Sequence, residues 1–193
     1  MRKLGILIGC TLALAACETT PPPPPDLNNP LLAPGFLAQA SSANQFEIQS
    51  SQLALQASQN PAVRNFANVI IADHTQLGQR VAALGAAAHL PPPPLGLLPA
   101  DQAALDQLHA AGTGYNFDQA YQQAQINAHN QAIGLMQNYA GSGDVPVLRT
   151  VAAEAVPMMQ RHLQMAQSLV LMPPPPPPPP PAPPPVGRSG ERG

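Results

Sequence analysis

The segment that most constrains the fold of this chain is residues 61–88, PAVRNFANVIIADHTQLGQRVAALGAAA. Its apolar residues recur at steps of three and four, which predicts one long amphipathic helix with a single buried face. One polar residue, His74, interrupts that face. Asn60 is a favourable N-cap and Pro61 suits the first helical position, so we expect the helix to begin there.

Three further segments repeat this helical spacing of apolar residues, and the four together predict an all-α fold. Alanine dominates the 45% of apolar residues, which favours closely packed helices over a sheet. The turns after the first and third of these helices are short, so each pair is expected to be antiparallel. The additional segments are 36–59, 116–139 and 145–171.

The residues between the second and third long helices predict a crossover. Pro91 to Pro94 stop the second helix, and a short helix is expected from about Pro99 to Ala111. This connection is long enough to run the length of a bundle. The predicted architecture is therefore an antiparallel four-helix bundle with a long crossover between helices 2 and 3.

The N-terminal residues predict export and a lipid anchor. Residues 1–17 have a basic start and a short apolar run, and end in Leu-Ala-Ala-Cys, which resembles the lipobox of bacterial lipoproteins. In that class the cysteine, here Cys17, carries the lipid and attaches the protein to a membrane. We therefore expect a periplasm-facing protein of the cell envelope, at the outer membrane. The alternative is an ordinary secretory signal in which Cys17 is incidental.

Proline-rich tails are predicted on both sides of the bundle. Residues 18–35 form a tether, residues 36–171 the bundle, and residues 172–193 a tail of nearly pure proline. Such segments cannot build a core and favour extended polyproline geometry. The tail is expected to act as a spacer, the alternative being a ligand for a proline-recognising protein.

Composition excludes some functions. Lys and Arg total 8 and Asp and Glu total 10, so no strong positive field indicates nucleic acid as a partner. The sequence lacks the GxSxG and HExxH motifs of hydrolases, and it points to no reaction. It favours a protein that is not an enzyme, and it identifies no protein partner.

One ionisable residue from each predicted long helix lies on or beside its apolar stripe: Glu47, His74, His129 and His162. Buried groups of this kind need partners. They could hydrogen-bond one another, or they could bind one divalent transition metal, for which Zn, Fe and Cu are the candidates. Glu47 precedes Asn60 by nearly the same distance along the chain as His74 follows it, which places both at a similar depth in the hairpin.

The depths of the other two residues agree less well. Counted from helix ends near Ala140 and Val145, His129 and His162 would differ by roughly 9 Å in straight helices. A bend at Pro157 could absorb part of this offset. Without such a bend, Gln125 rather than His129 would face His162, and the four candidate ligands would not meet at one point.

The other ionisable residues near this site are expected to be peripheral. His89 and His109 fall in the crossover and are predicted to be exposed. Asp73 points away from His74 around the helix and is expected to be solvated, or at most to contact a ligand rather than the metal.

Four sequence blocks carry a family resemblance: FLAQASSANQFEIQSSQLALQAS, NPAVRNFANVIIADHTQL, FDQAYQQAQINAHNQAIGLM and VPVLRTVAAEAVPMMQRHLQMAQSL. In this order and spacing they resemble the DUF4142 family of bacterial envelope proteins. The resemblance implies a ferritin-like four-helix bundle and no established activity. The chain departs from di-iron proteins, because Ile71 and Met159 stand three residues before His74 and His162, where those proteins have Glu. A mononuclear histidine-rich site, or no metal, therefore fits better.

The sequence thus supports two functions. The first is a lipid-anchored envelope protein that binds a single transition metal in the bundle core. The second is a non-catalytic structural or stress-related envelope protein without metal, in which the polar core groups hydrogen-bond one another.

Overall fold

The computed structural model describes residues 24–173, and within them it contains five α-helices and no strand. The predicted signal peptide, Cys17, the first part of the tether and residues 174–193 lie outside the described residues. The all-α prediction is confirmed for the described part of the chain. The helices are α1 (Ala33–Ala57), α2 (Pro61–Ala87), α3 (Pro99–Ala110), α4 (Tyr115–Ser142) and α5 (Pro146–Gln167).

The four long helices form a bundle in which each contacts two others. Helix α1 packs against α2 and α4, and α5 packs against α2 and α4. The short helix α3 lies between the second and third long helices in the chain and contacts α1 and α4. None of the helices within residues 24–173 combines the length and apolarity that a bilayer crossing requires.

The start of α2 agrees with the sequence prediction. Asn60 caps it, because its Oδ1 accepts a hydrogen bond from the Ala62 N–H at 2.9 Å. The Asn60 amide also donates to the Val170 carbonyl oxygen at 2.9 Å, which ties the residues after α5 to this turn. Pro61 occupies the first turn, where its missing N–H leaves no intrahelical bond unmade.

Four helix ends differ from the prediction by two or more residues. Helix α1 begins at Ala33 rather than Phe36, and α5 ends at Gln167 rather than Leu171. The ends of α1 and α4 also differ, and these two differences shift residues at the site. Helix α1 ends at Ala57, so Ser58 and Gln59 belong to the turn. Helix α4 continues to Ser142, because Gly141 is accommodated within its last turn and Gly143 is the C-cap. Helix α5 runs without interruption through Pro157, whose ring is exposed.

The core consists of two apolar clusters with a polar layer between them. In α2, α4 and α5 a histidine separates the residues that join one cluster from those that join the other. Aromatic side chains dominate the large buried residues on both sides of the layer. The first cluster includes Phe46, Phe66, Ile70, Phe117 and Tyr121, and the second includes Phe36, Ala132, Met136, Tyr139, Leu148 and Met159.

Candidate metal centre

Three histidines from three helices meet in the polar layer. One ring nitrogen from each of His74, His129 and His162 lies within 4.8 Å of the other two. The ring centroids are 5.4 to 5.7 Å apart, and no residue of the three exposes more than 2% of its surface. The structure therefore brings together three of the four predicted metal ligands.

The expected separation of His129 from His162 was too large, because α4 is longer than predicted. The true helix ends from which the two depths are counted are Ser142 for α4 and Pro146 for α5. Counted from these ends, the two histidines differ by three positions, or about 4.5 Å along the helix axes. Gln125 does not replace His129 opposite His162; its amide instead donates to Ser50 Oγ at 3.0 Å.

The outer ring nitrogen of each histidine contacts an oxygen. His74 Nδ1 is 3.0 Å from Asn44 Oδ1, His129 Nδ1 is 2.8 Å from the Gln125 carbonyl oxygen, and His162 Nε2 is 2.9 Å from Asp73 Oδ2. Because a carbonyl or carboxylate oxygen can only accept, each outer nitrogen carries the proton in the neutral ring. The opposite nitrogen of each ring then presents a lone pair.

Those opposite nitrogens have no hydrogen-bond partner. They are His74 Nε2, His129 Nε2 and His162 Nδ1, and all three are buried. A buried polar atom without a partner typically costs about 1–3 kcal/mol. Three such atoms on adjoining rings form a set of lone pairs suited to a metal ion, with the outer hydrogen bonds fixing the tautomers.

The surroundings keep the imidazoles neutral. Burial lowers the pKa of His74 to about 3, and the neighbouring histidines contribute to that shift. Burial lowers the pKa of His129 to about 4, with the Gln125 carbonyl opposing the shift. Burial also lowers the pKa of His162, against the opposing effect of Asp73. A metal ion would therefore not compete with protons for these nitrogens at neutral pH.

Glu47 lies beside this group rather than within it. Its Oε1 is 3.3 Å from Nδ1 of His129, which is the outer nitrogen of that ring, and the residue is 1% exposed. Burial raises the pKa of the Glu47 carboxyl to about 8, while the Gln125 amide lowers it by a smaller amount. The carboxyl is therefore largely protonated at neutral pH.

Asn44 occupies the depth that the sequence assigned to Glu47. Because α1 ends at Ala57, Asn44 lies as far before that end as His74 lies after the start of α2 at Pro61. Asn44 is seated against Gly78, where an added Cβ would come within 2.9 Å of its Nδ2. The sequence alone did not predict this contact of Asn44 with His74. Two features could have indicated it: Asn44 lies one turn before Glu47, and Gly78 leaves space on the face of α2.

The remaining ionisable residues lie where the sequence placed them. His89 and His109 are exposed. Asp73 has a side chain 38% exposed and contacts His162 across the α2–α5 interface, so it touches a candidate ligand rather than the centre of the group.

A cavity of about 20 Å³ adjoins the histidines, which is room for roughly one water molecule or ion. Its lining includes Glu47, His74, Met136 and Met159. Two methionines, a glutamate and one of the three histidines thus line the same small space.

Comparisons with known proteins show the family of this chain and a similar fold. Residues 19–169 match the family described as "Domain of unknown function (DUF4142)". Among curated proteins, none matches the sequence. The fold is similar to solved structures of CopM in its Cu(II)-bound form (TM-score 0.59, 18% identity) and its Ag-bound form (TM-score 0.58, 18% identity). Each covers 70% of this chain and 93% of the other. The Cu(I)-bound form gives a TM-score of 0.57 at 19% identity, covering 69% and 91%.

Proposed function

Because the chain belongs to the DUF4142 family, whose function is unknown, its role has to be inferred from the site, and we propose that it binds one transition-metal ion through His74, His129 and His162. The observation that carries this proposal is the convergence of three buried ring nitrogens that lack any hydrogen-bond partner. The proposed scaffold is a ferritin-like four-helix bundle, with α3 in the crossover.

The donor set fits a metal that accepts imidazole nitrogen. Three histidines leave one coordination position open, as in the three-histidine sites of zinc enzymes. Copper is the first candidate, because the structural neighbours bind copper and silver and because Met136 and Met159 line the adjoining cavity. Zinc is the second candidate on the chemistry of the three imidazoles alone, and iron the third.

Glu47 has a supporting role in this proposal. Its oxygen is near the protonated outer nitrogen of His129, so we assign it to the surroundings of that ring rather than to the metal. A carboxyl at this place can adjust the local charge when a cation enters a buried site. Bound metal would hold the three helices together; no reaction follows from the residues present.

A purely structural protein with a hydrogen-bonded polar core is less well supported. In that alternative the polar groups of the core should satisfy one another. The inner nitrogens of the three rings instead have no partner, and neither oxygen of Glu47 has one. Buried polar atoms without partners lower the stability of the metal-free protein. A bound metal would give the ring nitrogens a partner and so explain why these residues are present.

Metal titration tests the proposal. The mature chain carrying Cys17→Ser and no affinity tag should bind about one equivalent of Cu(I) or Zn(II), as a single three-histidine site requires. The triple variant H74L/H129L/H162L should retain less than about a tenth of an equivalent. The proposal would be rejected if the protein with all three histidines also bound less than about a tenth of an equivalent after incubation with Cu, Zn and Fe in turn.

We also propose that the protein is anchored in the cell envelope through lipid on Cys17, with the residues between Cys17 and α1 as the tether and the bundle facing the periplasm; the predicted tether of residues 18–35 is shortened, because α1 already begins at Ala33. The support is the Leu-Ala-Ala-Cys sequence after a short apolar run. Cys17→Ser should move the protein from the membrane fraction to the soluble fraction, and Cys10→Ser should not. Membrane association that survives Cys17→Ser would contradict the anchor.

A further inference from the structure

An apolar groove of about 230 Å³ lies between α1, α2 and the prolines that follow α2. Leu37, Leu77, Val81 and Leu90 give it apolar walls, and Pro91 to Pro93 cover one side. Several lining residues, including Ala82 and Ala86, are exposed, so the groove opens to the surface. Hydrogen bonds hold the proline segment at both ends. The Leu90 N–H donates to the Gly85 carbonyl oxygen, and the Leu98 N–H donates to Ser42 Oγ.

The groove lies next to the small cavity that reaches the histidines. Four residues line both spaces: Ala40, Asn44, Leu77 and Met136. The small cavity in turn reaches His74. The two spaces therefore share a wall that includes Asn44 and Met136, and together they extend from the surface to the edge of the three-histidine group.

An alternative route would pass Asp73. Asp73 is partly exposed, but its carboxylate is hydrogen-bonded to the outer nitrogen of His162, and that ring separates it from the centre of the group. Neither of the two spaces described above touches Asp73.

We infer that the groove is the route by which the metal ion reaches and leaves the three histidines. The inference rests on the proposed metal binding and adds the path and its residues. Asn44 and Met136 line both spaces, so a cation on this route would pass them, and an amide oxygen and a thioether are weak ligands for it. The apolar walls suit a monovalent ion such as Cu(I) or Ag(I), which loses its water more easily than a divalent ion.

Gly85 provides the test, because it lines the groove and is buried, yet an added Cβ would meet no atom within 4 Å. Gly85→Leu should therefore fill the groove without a clash. Gly134→Leu is the matched control, since Gly134 is also helical, also has open space at its Cβ and does not line the groove. Ala86→Leu, at an exposed position of the same lining, is the second test variant.

The measurement is the rate at which Cu(I) passes between each variant and a colour-reporting chelator, in both directions. Gly85→Leu should slow binding and release by the same factor, roughly tenfold or more, and leave the equilibrium affinity unchanged. Ala86→Leu should slow both rates to a smaller extent, and Gly134→Leu should match the unsubstituted protein. Circular dichroism would confirm that all three variants are folded.

Two results would overturn the inference. Unchanged rates in both groove variants would place the access route elsewhere, for example along Asp73. A lower affinity with unchanged binding rate would mean that Gly85 affects the site itself and not the path. Failure of the unsubstituted protein to bind Cu(I) or Zn(II) would be a different outcome, because it would reject the proposed function before any rate is compared.

Discussion

Replacing His129 by leucine is expected to abolish tight metal binding while making the metal-free protein more stable. The affinity should fall by more than about 100-fold, beyond the roughly 10–100-fold typical for residues that only support a ligand. The free energy of unfolding without metal should rise by about 1–3 kcal/mol, because a buried nitrogen without a partner is removed. His129 suits this test because its outer nitrogen is hydrogen-bonded to a backbone carbonyl of its own helix rather than to a side chain; the Glu47 carboxyl lies 3.3 Å from the same nitrogen.

Denaturant unfolding with and without metal measures both effects. His109→Leu is the control, because His109 is exposed and lies in α3, outside the three-histidine group. It should change neither quantity appreciably. A His129→Leu protein that is less stable without metal and binds metal as before would show that the histidine serves packing only.

The stability of the metal-free protein should peak near pH 6.5 and fall on both sides. Below pH 6.5 the unfolded chain takes up protons on its histidines, but the folded protein does not, because burial lowers the pKa of His74 to about 3 and of His129 to about 4. Stability from these groups is therefore lost as pH falls from 6.5. Glu47 acts in the opposite direction: burial raises its pKa to about 8, so stability is lost as pH rises from 4.5 through 8.

The balance between these groups sets the shape of the curve. Between pH 4.5 and 6.5 His74 and His129 together outweigh one carboxyl, so stability should rise with pH. Above pH 6.5 the contribution of the two histidines falls below that of Glu47, and the curve should turn down.

Glu47→Gln separates the two contributions. It should remove the alkaline decline and raise stability at pH 8 by an amount on the order of 4 kcal/mol, since the pKa of Glu47 rises from 4.5 to about 8 and each pKa unit corresponds to about 1.4 kcal/mol. Glu154→Gln, at a half-exposed position paired with Arg80, is the control and should leave the decline in place. A flat profile between pH 6.5 and 8 in the unsubstituted protein would show that Glu47 is charged in the folded state.

The helices could be predicted from the sequence because their signals are local. The step of three and four in residues 61–88, the Asn60 cap and the proline stop at 91–94 each act within a few residues. The exact ends were harder, because they depend on tertiary packing. Gly143 shows this: it is the C-cap of α4, and an added Cβ there would lie 2.5 Å from the Tyr139 ring, a contact that cannot be seen in the sequence.

The candidate site could be predicted only as far as residue type and helix face allow. The three histidines of the site could be identified because each is a polar residue on an apolar helix face, and that pattern can be recognised in the sequence. Asn44 could not be identified in this way, because asparagine is common on helices. Its hydrogen bond to His74 depends on the space beside Gly78, which has no side chain. A small error at the end of α1, at Gln59 instead of Ala57, was enough to place Glu47, rather than Asn44, opposite His74.

The central claim is that one metal ion sits among the three imidazoles, and anomalous diffraction from crystals of the copper-loaded protein tests it most directly. A single strong peak should lie about 2.0–2.1 Å from His74 Nε2, His129 Nε2 and His162 Nδ1, as expected for metal–imidazole bonds. A peak only at exposed residues such as His89 or His109, with the inner nitrogens uncoordinated, would contradict it.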